Sequence, residues 1–290
     1  MLALAGFALM SVGDAVVKSM AGLWAPTALA ALRYSIGAVA LGALVGWKNG
    51  LSALVMPRPE LQLLRGFGVG VATVAFFAAI FVMPLADATA IIFTSPMLTS
   101  LLAALFLGEP ARRETWVATV VAFAGVLIVL RPNFLALGAT ALLPLLAAAG
   151  MSLLMIGNRA TAGTASPLAQ QFYVAVIAAP LLILAAVIGD HSGMERLAIH
   201  ALPPIVLLKG TVVALTASTA HWLIYRGTML AGVATVAPMT YVQLLVATVL
   251  GWVVFGNRIE PMSLLGMAVI AAAGLYLWRA GRIREPVMSE

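Results

Sequence analysis

The sequence predicts an all-α integral membrane protein of ten transmembrane helices, arranged as two inverted five-helix repeats. Three observations carry that expectation. Of 290 residues, 63% are hydrophobic and only 9% are charged, against about 25% charged in a soluble domain, so there is too little polar surface to clothe a soluble fold of this size. The apolar runs are long and do not alternate. A spanning helix needs about 20 apolar residues and a spanning strand about 9–11 of alternating polarity, so the runs read as helices. Finally, residues 10–26 and 151–167 echo each other: Met10, Ser11, Ala21, Gly22 and Pro26 align with Met151, Ser152, Ala162, Gly163 and Pro167, and Lys18 meets Arg159.

The elements follow in order. Span one, 2–20, lacks a basic leader and is interrupted by Asp14 and Lys18, so it reads as a first helix and not as a signal peptide. Span two, 27–47, ends at Lys48-Asn49-Gly50, and span three, 62–83, follows Pro57-Arg58-Pro59. The segment Met83-Pro84-Leu85-Ala86-Asp87 divides it from span four, 86–107, because one uninterrupted helix would overrun the bilayer. Gly108-Glu109-Pro110 closes span four, and Arg131-Pro132-Asn133 closes span five, 115–131. Spans six to ten are 138–158, 168–189, 204–226, 233–255 and 262–279, with turn chemistry at Asp190-His191-Ser192-Gly193 and Gly256-Asn257-Arg258.

With the N-terminus in the cytoplasm, ten Lys and Arg residues fall at cytoplasmic loops and helix ends, among them Lys48, Arg58, Arg65, Arg113 and Arg159. Only three, Arg131, Arg196 and Arg258, fall outside. That bias places both termini inside; if the chain is bacterial, its membrane is expected to be the inner one. It also explains the net charge of +6 without a nucleic-acid partner. The partners expected are the lipid bilayer and a small molecule. A second echo pairs Leu107-Gly108-Glu109 with Phe255-Gly256-Asn257. Together the echoes divide the chain into repeats 1–135 and 136–290. Five spans each, an odd number, makes the halves inverted, the plan by which many secondary transporters build and alternate a midplane site.

Several of these residues also carry a family resemblance: Lys18 late in span one, Arg33-Tyr34 in span two, the run from Pro96 to Gly108-Glu109, Ala124-Gly125-Val126-Leu127, Tyr241 to Asn257, and Ala273-Gly274. The chain resembles the ten-helix, EamA-type branch of the drug/metabolite transporter superfamily. Gly256-Asn257 departs from the family's second Gly-Glu, and Leu244 stands where the family has a proline. The resemblance implies export of small organic metabolites, in some branches amino acids, including aromatic ones.

Charges inside a bilayer cost about 2.5–3.5 kcal/mol each, so each needs a reason. Asp14 and Lys18 share a face of span one by their spacing, and Arg33 lies two turns into span two on the same side. They are candidates for an ion pair or a gate. Ser218, His221 and Tyr225 share a face of span eight beside Trp222. With Phe77, Tyr241 and Gln243 they make a candidate substrate pocket, mostly apolar with a few placed polar groups. Prolines interrupt spans at Pro96, Pro144, Pro180 and Pro238, and the corresponding Pro96 and Pro238 are candidate hinges. No HExxH, GxSxG or P-loop is present, no cysteine occurs, and the three histidines are not spaced as a metal site. No catalytic residue, metal or cofactor is therefore expected. The leading expectation is a secondary transporter exporting an amino acid by alternating access. Its rivals are an antiporter of phosphorylated or carboxylated metabolites using Lys18, Arg33 and Lys209, and a membrane enzyme or structural subunit.

Overall fold

The computed structural model describes residues 1–106, 113–231, 236–258 and 260–282. All regular structure among them is helical. In chain order the α-helices are α1 (Leu2–Lys18), α2 (Pro26–Asn49), α3 (Pro59–Val82), α4 (Leu85–Ile92), α5 (Ser95–Phe106), α6 (Arg113–Leu137), α7 (Leu143–Ala160), α8 (Pro167–Asp190), α9 (Pro204–Ala231), α10 (Tyr241–Phe255) and α11 (Pro261–Arg282). Eight stretches are long and apolar enough to cross a bilayer, Tyr241–Phe255 is apolar and shorter, and α1 has 17 residues. The chain is an integral membrane protein, with these ten helical segments among its described residues.

Starts and stops follow local chemistry. Proline opens α2, α3, α7 and α8 within the first turn, where its missing N–H removes no helical bond. Gly256 ends α10 at φ 65°, a left-handed position that glycine fills without a Cβ clash.

Three expectations are corrected here. The fourth span is not one helix. It breaks at Phe93-Thr94 into α4 and α5, and Pro96 stands in the first turn of α5. Pro96 is thus the start of a new helix and not a kink inside one, and Pro144 likewise opens α7. Pro180 does lie inside α8. Pro238 falls in the 3-10 turn Ala237–Thr240. The fifth span does not stop at Arg131-Pro132-Asn133. α6 continues to Leu137, and Asn133 is held by bonds from its amide to Val129 O at 3.0 Å and to Asp87 Oδ2 at 2.8 Å. Gly108-Glu109 and the side chains of Tyr225 and Pro238 lie outside the described residues.

The helices pack chiefly in four pairs: α1 with α9, α2 with α8, α3 with α7, and α6 with α11. Glycines set three of those contacts, as expected where lipid offers no hydrophobic drive and close backbone approach must hold helices together. A Cβ on Gly68 would stand 2.8 Å from Gly150 O, and one on Gly150 2.6 Å from Gly68 O. Gly125 and Gly266 are related in the same way across α6 and α11. On α1, Gly6 faces Ala220 and Ile224. The contacts also repeat when each span is exchanged for the one five places along. The α1–α9 contact maps onto α7–α3, α1–α10 onto α7 with the α4/α5 span, and α2–α9 onto α8–α3.

Candidate functional site

Two polar ends and a charged middle distinguish the bundle. At one end, called here the Lys18 end, Lys18 does not turn to Asp14 as their spacing suggested. It donates to Ile80 O at 2.7 Å and to Met83 O at 2.6 Å, the last carbonyls of α3, which have no partner inside their own helix. Its ammonium also lies 5.4 Å from the Phe255 ring centre. One side chain therefore ties α1, α3 and α10. Beside it Lys209 donates to Ser19 Oγ at 2.9 Å, joining α9 to α1, and Trp24 Nε1 donates to His200 O at 3.1 Å.

At the opposite end, Arg65 is buried and is not the helix-end charge the sequence suggested. Its Nε donates to Asn158 Oδ1 at 2.7 Å, and its Nη1 to the side-chain carbonyls of Gln62 and Gln170. Neutral amides from α3, α7 and α8 surround the guanidinium, and Gly157 leaves the notch that its stem fills.

Between these ends lies the centre. Asp14 on α1 accepts a hydrogen bond at Oδ2 from Gln243 Nε2 on α10 at 3.2 Å, while Ser11 one turn earlier donates to Gln243 O at 2.6 Å. Arg33 on α2 stands over two aromatic rings, Tyr34 at 5.4 Å and Phe77 of α3 at 5.6 Å. Thr73 donates to Tyr34 Oη at 3.3 Å. The Arg33 charge acts on both Asp14 and His221. Among the described residues, however, Arg33 makes no hydrogen bond and no ion pair. A guanidinium carries five N–H donors, and in a bilayer such a group ordinarily pairs.

Three candidate pocket residues meet here, and Tyr241 lies at the break in span four. Phe77, 1% exposed, forms a wall. His221, bonded to Ala217 O at 2.7 Å, faces the same charge, and Gln243 bridges to Asp14. Tyr241 meets Phe93 edge-on, centres 5.6 Å apart at 84°, at the break in span four, with its hydroxyl end in the notch left by Gly274. Two residues are not brought in. Ser218 is exposed and donates to Ala214 O, and Trp222 is 57% exposed beneath Arg226. Sequence reasoning missed Tyr34, although it adjoins Arg33, and Phe93, because the break in span four beside it was not expected. It also missed Asp87, buried on α4, because the carboxylate follows a proline-containing divide that reads as loop.

A family model described as the EamA-like transporter family matches residues 1–131 and 138–279. The chain belongs to the EamA-like transporter family. It is 26% identical over 228 residues to the S-adenosylmethionine uptake transporter of Rickettsia bellii, covering 79% of this chain and 75% of that one. It is 28% identical over 237 residues to the riboflavin transporter of Rhizobium johnstonii, covering 81% and 76%. A solved crystal structure at 22% identity covers 97% of both chains with a TM-score of 0.59, which bears on the fold alone. This EamA protein is accordingly a transporter of small-molecule metabolites.

Proposed function

We propose that this EamA protein carries an amphiphilic, zwitterionic metabolite bearing a planar aromatic ring, by alternating access between two inverted halves. The observation that carries the reading is the unpaired Arg33 guanidinium beside Asp14: opposite charges share the centre without closing on each other. A substrate carboxylate would take the open donors of Arg33, and an ammonium would take Asp14. The rings of Tyr34 and Phe77, and the Phe93–Tyr241 pair at the broken span, offer stacking partners for the aromatic part. An aromatic amino acid has this chemistry, and so does S-adenosylmethionine, with an amino-acid head and a purine.

The relatives' names change the emphasis. Both speak of metabolites with heteroaromatic rings and one speaks of uptake; neither names an amino acid or export. The proposal therefore keeps the aromatic zwitterion and moves the direction to uptake. Two further observations support the inverted plan: the family model matches in two stretches that meet near residue 135, and the helix contacts repeat under a five-span exchange. The Lys/Arg bias supports the Lys18 end facing outward. Of the three basic residues on which the phosphorylated- or carboxylated-metabolite reading rests, Lys18 and Lys209 are occupied by carbonyl and hydroxyl groups, which leaves Arg33.

The test is uptake into proteoliposomes of S-adenosylmethionine, tryptophan and riboflavin by wild type and Arg33→Gln. Transport of a zwitterion, reduced about 10- to 100-fold by the variant, is expected from a lost charge-assisted bond of about 1.5–3 kcal/mol. Transport of riboflavin alone, unchanged by the variant, would reject the zwitterion.

A further inference from the structure

A second polar site lies apart from Arg33, at the Lys18 end. A cavity of about 180 Å³ opens between the α10–α11 connection, α4 and α6, and its lining includes Asp87, Asn133, Asn257, Arg258, Glu260 and Ser263. It has room for roughly six waters at about 30 Å³ each. Its rim, Arg258 and Glu260, is exposed. Its floor is buried: Asp87 is 5% exposed, Asn133 7% and Ser263 3%. Asn257 Nδ2, also on the wall, is buried with no acceptor, which a water in the cavity would supply. A carboxylate inside a spanning segment therefore lines a cavity that opens at the Lys18 end and has room for water.

We propose that Asp87 is a proton-binding site for transport, loaded from the Lys18 end, and that proton binding loosens the hold of α6 and α11 on α4. The geometry makes Asp87 the contact between three helices. It lies on the short half α4 of the broken span, Asn133 of α6 donates to it at 2.8 Å, and Ser263 of α11 faces it. A hydronium in the cavity gives its proton to a carboxylate oxygen and leaves water. The carboxyl becomes neutral and gains one O–H donor, and the bond it accepts from Asn133 loses its charge assistance. Asn133 keeps its bond to Val129 O, so α6 stays intact while its tie to α4 weakens.

The charged surroundings suit a switch. From α1, Lys18 attracts the carboxylate, but its ammonium is spent on the carbonyls of Ile80 and Met83. From the α10–α11 connection, Glu260 opposes it and Arg258 stands at the rim. On α6 the remaining charge at this end is Arg131, which is exposed. The charged residues of α3, α7 and α11 all lie at the far ends of those helices, and α10 has none. Among the described residues no cation is bonded to Asp87 directly, and its ionised form rests on neutral donors.

The inference does not depend on which metabolite is carried, and its test needs none. The chain has no cysteine, so Ala136→Cys, on the cavity wall, gives a single reporter for an impermeant maleimide. Its labelling rate is compared in the Asp87 and Asp87→Asn backgrounds, which cancels the pH dependence of the thiol itself. From about pH 8 to about pH 5, approaching the ordinary carboxylate range, the ratio of the two rates is expected to rise about 5-fold toward one, as the neutral acid comes to resemble Asn. A ratio flat with pH, or one that responds to sodium and not to pH, overturns the proposal. If the Asn variant does not survive purification, wild type and Asp87→Glu carry the same test. Displaced midpoints are expected, and coincident or pH-independent curves overturn it.

Discussion

Lys18 shows how far a residue's type and its role can diverge. Its charge and depth were legible in the sequence, and so was its position four residues from Asp14. Its partners were not, because they are backbone carbonyls 62 and 65 residues away that only packing brings close. Lys18→Met should leave the carbonyls of Ile80 and Met83 without a side-chain donor, at about 1–3 kcal/mol for a buried polar group. A lower melting temperature in detergent is expected, largely restored by Lys18→Arg. An unchanged melting temperature would show that the cap contributes nothing. Asp14 and Arg33 were legible as charges needing a reason, and the structure supplies a shared centre in place of a closed pair. Asp87 was not legible, because it follows the proline-containing divide at 83–87, and its partner Asn133 follows a proline in a run that reads as a turn.

At the scale of elements, the informative feature is the division of span four. Pro96 marked an interruption, but sequence alone does not separate a kinked helix from two helices. That distinction rests on Phe93 and Thr94 leaving helical geometry. The result is a short α4 carrying Asp87 and a separate α5, the kind of discontinuous span from which many secondary transporters build their sites. The glycine run Gly66-Phe67-Gly68-Val69-Gly70 was read as a packing face, and two of its glycines do pack, Gly66 on Ile177 and Gly68 on Gly150. The third differs, since a Cβ on Gly70 meets nothing within 4 Å. Gly68→Ala should therefore destabilise by about 1–3 kcal/mol through overpacking. Gly70→Ala should be neutral or stabilising by up to about 1 kcal/mol. Thermal unfolding of the two variants side by side checks this, and equal effects would contradict the packing.

For the whole molecule, composition and run length were enough for the class, because a bilayer demands long apolar helices whatever the protein does. Most of the spans were legible for the same reason, but α6 runs six residues past the expected end of span five and span four is two helices. The helix pairing was not, since small residues are spread along most spans and any of them could have met. Orientation rests on loop charge, and its check is direct. With no native cysteine, Ser192→Cys at the Lys18 end should react with an impermeant thiol reagent added outside cells, and Ser52→Cys at the Arg65 end should not; both positions are exposed. The reverse pattern would invert the topology. The central claim is that Arg33 and Asp14 read the two charges of one substrate. It is tested most directly by inhibition of uptake in proteoliposomes, comparing tryptophan with tryptamine, which lacks the carboxylate. For wild type, tryptophan should bind about 10-fold or more tightly than tryptamine, and Arg33→Gln should erase that difference while leaving tryptamine unaffected. Equal loss for both compounds, or a preference that survives the variant, would contradict the account.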